Sequence, residues 1–241
     1  MHQHISVKGI LPYYLLLMIV SIFSMGVLPI EALTQDSNGT NTEIIFTEEK
    51  REQARQQLRR ILAKYDLDPW IITNEVKIEE GVDPHSRPIL TLNTDFLDCD
   101  KMQLAIFIHE QAHWLPFEKQ VAAGEELAEL FPDIEGMPNM DEVSEEQRKR
   151  LLETQQRIYR HIVVGWAEFD GMVELVGESE ARRIIKEKNS RFVGKPYSNL
   201  EKTFLWYFER VLEDTEEIGQ VLAKHDLIIT PDKGLVVDSS K

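Results

Sequence analysis

The run Ile106, Phe107, Ile108, His109, Glu110, Gln111, Ala112, His113, Trp114, Leu115 sets two histidines and a glutamate inside an otherwise apolar segment. Its pattern predicts a mostly buried helix from Lys101 to Leu115, with Asp98 or Asp100 as its cap and Pro116 as its stop. On such a helix His109 and His113 lie one turn apart on one face. A buried imidazole or carboxylate without a partner is costly, so the rest of the fold must bring something to that face. The spacing lets both imidazoles reach a single Zn²⁺, while Glu110 lies beside the pair and can take a proton from a metal-bound water. The competing reading is a helix whose histidines are ordinary core or surface residues.

The elements around this helix follow from periodicity. Thr47 can cap an amphipathic helix through about Tyr65, on which Ala54, Leu58, Ile61 and Leu62 recur at helical spacing. Trp70 to Ile78 and Pro88 to Asn93 are rich in Ile, Val, Thr and Leu and read as paired strands. A helix is expected from Phe117 to Leu130, then a loop from Phe131 to Val143. Ser144 with Gln147 makes a capping box opening a helix to Leu175, closed by Gly177, with Gly165 marking a bend or close packing. Helices also fit Glu178 to Lys188 and Leu200 to His225, and Leu227 to Val237 fits a strand and tail. The expected class is α+β, predominantly helical, with a small β-sheet preceding the motif helix and a helical C-terminal part.

The first residues carry Lys8 and no acidic group, and Ile10 to Ile30 is nearly all apolar. Residues 1–32 therefore read as an export signal, or as an uncleaved membrane anchor with the remainder outside the cytoplasm. Residues 33–46 read as a flexible lead and 47–241 as one domain. A net charge of −15 disfavours nucleic acid as a partner, because phosphate backbones are gripped by Lys and Arg. Cys99 is the only cysteine, so no disulfide forms within the chain, and a small buried residue is its expected role.

The motif resembles that of the zincin metallopeptidases, His-Glu-x-x-His on an active-site helix, and the resemblance extends to the strand element just before it. It spans residues 70–176, of which only the five motif residues are strict. In zincins an edge strand aligns the substrate, and Pro88 to Asn93 would be that strand. The third histidine of the metzincin branch is absent, since Trp114, Leu115, Pro116 and Phe117 follow His113. The gluzincin branch takes its third ligand from a glutamate on a later helix, which points to Glu168 within the apolar stretch Val163 to Phe169. His161, seven residues earlier and on nearly the same face, is either an alternative ligand or a group that stabilises the reacting oxyanion. Glu174 lies on another face. Thermolysin-like gluzincins carry an Asp four residues after the ligand Glu; here that residue is Met172, and Asp170 points elsewhere. The family further implies a transition-state donor among His161, Tyr159, Tyr197, Tyr207 and Arg210.

These readings converge on an exported zinc-dependent hydrolase of peptide or other amide bonds. His109, His113 and Glu168 would hold the metal, and Glu110 and His161 would serve catalysis. The alternatives are a zincin-fold binding module of the envelope or secreted space without turnover, and a structural metal site closed by four protein ligands. Cys99, the only thiol, is badly placed for the latter.

Overall fold

The computed structural model describes residues 34–35, 41–42, 48–192 and 200–229. The chain divides into two units, Met1–Ile45 and Phe46–Lys241. In the first, two short strands, β1 (Thr34–Gln35) and β2 (Asn41–Thr42), pair antiparallel within the segment expected to be a flexible lead. The expected signal or anchor lies outside the described residues, as do Tyr197 and most of the expected C-terminal strand. Residues 227–229, at the start of that strand, have no regular structure.

The second unit opens with α1 (Glu48–Lys64), followed by a 3-10 turn at Asp68–Trp70 and by β3 (Val76–Ile78) and β4 (Leu90–Leu92). The pair is parallel, with Val76 opposite Leu90 and Ile78 opposite Leu92. Only the end of the expected Trp70 to Ile78 strand forms, because Gln111 of the motif captures the chain before it. Its Oε1 accepts from the backbone N–H groups of Ile72 and Thr73 at 2.9 Å each, and its Nε2 donates to the Thr73 carbonyl at 2.8 Å. One amide side chain thus stands in for a strand neighbour.

The motif helix, α2, covers Asp100–Ala112, with His113 closing it. Cys99, half-buried, occupies the N-cap position without a side-chain bond, so neither aspartate caps the helix as expected. Nearly every residue from Met102 to Ala112 is buried, which is why the apolar pattern surrounds the helix instead of striping it. Gln120 of α3 (Phe117–Leu130) donates to the Leu115 carbonyl at 2.7 Å, satisfying one of the acceptors at that helix end.

α4 (Glu145–Val176) is the 32-residue axis of the unit and packs against α2, α3, α5 (Glu178–Phe192), α6 (Leu200–Glu213) and α7 (Thr215–Lys224). The Ser144–Gln147 capping box is present, and Gly177 ends the helix at φ +82°, a backbone that favours glycine. A Cβ on Gly165 would stand 2.8 Å from the Tyr207 ring, so this glycine permits the close approach of α6. The helix expected from Leu200 to His225 is broken at Asp214, where Thr215 turns its hydroxyl back onto the Val211 carbonyl.

Asp170 is half-buried on α4, and burial, with the charge of Glu174, pushes its carboxyl up to about 6. A folded-state pKa above that of the unfolded chain means stability is fullest below about pH 4 and declines as pH rises through 6. Asp170→Asn is therefore expected to raise thermal stability at pH 7 to 8 and to change it little at pH 4. The gain is on the order of 1 kcal/mol once partial solvent screening is discounted. Melting curves of both proteins across that range check it.

Candidate metal centre

α2 and α4 pack so that later residues of the first meet earlier residues of the second. His113 faces His161 with ring centroids 5.0 Å apart, His109 lies 5.0 Å from His113, and His109 and His161 are 6.3 Å apart. Each of the three imidazoles offers a nitrogen within 4.8 Å of the others. With metal–nitrogen bonds of about 2.0–2.1 Å, modest ring rotations bring all three onto one cation.

Hydrogen bonds set which nitrogens remain for a metal. The Nδ1 of His109 donates to Glu168 Oε2 at 2.8 Å, since a carboxylate can only accept, and its Nε2 is left with a lone pair. The Nδ1 of His161 donates to the Arg157 carbonyl at 3.0 Å, with the same consequence. Burial is the largest influence on all three rings and holds them in the neutral form that binds metals. His161 is lowered to about 4, by burial and then by His109. His113 is held well below its ordinary value by burial, the other two histidines, Arg160 and Arg87.

Glu168, expected from the resemblance to be the third ligand, is instead placed against the outer nitrogen of His109 and is not in the three-histidine group. It is 1% exposed, and both its oxygens accept from the ammonium of Lys188 on α5. Burial, the largest influence, pushes its carboxyl up, but the Lys188 charge and the His109 bond outweigh it and leave the net shift downward. The chain Lys188, Glu168, His109 thus fixes one ring from behind. Two turns of α4 set His161 against His113 and Glu168 against the Nδ1 of His109.

Glu110 is buried on α2 beside the pair, and burial pushes its carboxyl up to about 8, with Lys188 opposing and Glu168 adding to the rise. A neighbouring dication acts the other way and favours its ionised form. Among the donors considered for the transition state, Tyr207 is buried with its ring 6.2 Å from that of His161. Tyr159 donates to the Phe131 carbonyl, and Arg210 pairs with Glu213 and Asp214. Glu174 is exposed and Met172 fully buried.

Lys188 was not anticipated, yet a signal exists. Ala181, Ile184 and Ile185 form the buried stripe of α5, and Lys188 continues it at helical spacing, a lysine where burial is due. The strand expected to align a substrate also differs. The backbone N–H and C=O of Thr91 are bonded to His85, so β4 has part of its outer edge filled by its own chain. No protein-family model matches the chain, and comparison with curated proteins and with solved structures finds no match.

Proposed function

We propose that this protein is a zinc-dependent hydrolase of peptide or other amide bonds, with His109, His113 and His161 as the metal ligands and Glu110 as the general base. The observation that carries the reading is the convergence of three imidazoles from two helices, with the Glu110 carboxylate next in sequence to one of them. Three neutral nitrogens suit a borderline cation, and a three-ligand site leaves a fourth position for water. A zinc ion so held supplies Lewis acidity and lowers the pKa of a water toward about 7.

The protein's own groups do the rest. Glu168, braced by Lys188, keeps the His109 proton on Nδ1 and its Nε2 turned to the centre. The Arg157 carbonyl does the same for His161. The Glu110 carboxylate takes a proton from the attacking water and returns it to the leaving amine. Tyr207, whose ring lies beside that of His161, would be the donor to the developing oxyanion. The apolar run from Ile10 to Ile30 supports placing this activity outside the cytoplasm, by export or by anchoring.

Glu110→Gln is the direct test. It is expected to keep zinc and fold while hydrolysis of a casein-derived peptide pool falls about 10²–10⁴-fold, followed by amine release. Undiminished hydrolysis would remove Glu110 from the mechanism, and retained zinc without hydrolysis in the wild type would favour the binding-module reading.

A further inference from the structure

The arginines divide into two groups. Away from the histidines, each one whose side chain is described is matched to a carboxylate, from Arg51 with Glu48 in α1 to Arg210 with Asp214 in α6. Among the described residues, Arg87, Arg157 and Arg160 make no ion pair, in a chain with an excess of acidic groups and a net charge of −15. All three lie close to the histidines: Arg87 stacks on Trp114, next to His113, Arg157 gives its carbonyl to the His161 Nδ1, and Arg160 directly precedes His161 on α4. They arrive from separate places, Arg87 from the segment before β4 and the other two from α4.

Two of them are held over aromatic faces. The Arg87 guanidinium lies 4.5 Å from the centre of the Trp114 ring, next to His113, and Arg160 lies 4.9 Å from that of Phe117. Phe117 is 57% exposed although it opens α3 directly after the motif. Stacking on a ring fixes a guanidinium without neutralising it, leaving its donor edges available to an anion. The carboxylates close to the histidines do not fill that role, since Glu168 is taken by Lys188 and His109 and Glu110 is buried on α2.

We propose that Arg87 and Arg160 form an anion-recognising rim beside the three histidines, and that the substrate is a peptide carrying a carboxylate close to the scissile bond. The assignment rests on the hydrolase reading above for what happens after binding, and not for the binding itself. The carboxylate belongs either to an Asp or Glu side chain or to the peptide's C-terminus. The overall negative charge does not prevent this, because at physiological salt fields are screened beyond about 8 Å and the local rim dominates close approach.

The test uses the full chain, zinc-loaded and carrying Glu110→Gln, with fluorescein-labelled peptide mixtures read by anisotropy. One mixture is rich in Asp and Glu, its counterpart has Lys at those positions, and each is made with a free and with an amidated C-terminus. Peptides that carry the recognised carboxylate are expected to bind at least about tenfold tighter than those that lack it, with the preference weakening as salt rises. Arg87→Gln, at an exposed site, is expected to reduce it about tenfold, as is Arg160→Gln, with Arg160→Lys restoring part. Weaker binding of both mixtures on amidation assigns the carboxylate to the C-terminus; a preference for the acidic mixture that persists on amidation assigns it to side chains. Binding that is equal for acidic and basic mixtures and indifferent to amidation, or that is untouched by both arginine variants, overturns the proposal. Cleavage by the protein with Glu110 intact separates the two readings. Arginine-dependent binding without cleavage sinks the hydrolase alone, and cleavage indifferent to both side-chain charge and amidation sinks the rim alone.

Discussion

Purified protein is expected to hold about one equivalent of zinc, and His161→Ala is expected to empty the site as completely as His109→Ala or His113→Ala. Three ligands define a tight site, and two imidazoles one turn apart on α2 do not complete it without a group from α4. Glu168 is the informative contrast. If it acts only through the Nδ1 of His109, its replacement leaves all three ligand nitrogens in place and removes the group that orients one of them. The loss should then be about 10- to 100-fold in affinity, not abolition. Because Glu168→Gln alone strands the Lys188 ammonium, the cleaner variant is Glu168→Gln with Lys188→Met, which removes the buried pair together. Metal content at saturating zinc, followed by competition with a chelator, separates the two classes. Full zinc in His161→Ala together with none in the Glu168 variant would restore the glutamate as the ligand and move His161 to another role.

This contrast marks where sequence reasoning stops. Periodicity located α2, the capping box at Ser144 and the stop at Gly177, because each follows from local backbone rules. It also put His161 and Glu168 on one face of α4, since seven residues are nearly two turns. What periodicity does not contain is how far α4 is slid along α2, and that displacement alone decides which of the two meets the open side of the imidazoles. The resemblance to gluzincins points to Glu168, whereas the register of the two helices groups His161 with the pair and sets Glu168 against the Nδ1 of His109. Gln111 is a similar case. Its place within the motif gave no hint that its amide would replace a strand neighbour for Ile72 and Thr73, because that depends on a contact 38 to 39 residues away in sequence. The Leu200 to His225 helix looked continuous because Asp214 is compatible with a helix, and the break there reflects packing of α7 against α3 and α4.

Lys188→Met is expected to cost about 3–5 kcal/mol of folding stability. Lys188 and Glu168 are 4% and 1% exposed, so the ammonium is the main compensation for a carboxylate that water cannot reach. Removing it leaves Glu168 with the His109 bond alone, while methionine conserves the length and bulk that α5 packs into the site. For a domain of this size that loss lowers the melting temperature by about 10 °C or more. Adding Glu168→Gln to Lys188→Met should recover much of it, since a buried amide in place of the carboxylate no longer carries an uncompensated charge. The recovery in a double-mutant cycle, measured with zinc removed by chelator, isolates the pair from the metal. Additive losses in the two single variants and the double would mean that the two groups do not depend on each other, and that His109 is held in place by packing alone. A strong coupling would tie the stability of α5 to the orientation of the His109 ring on α2, through the Glu168 carboxylate on α4.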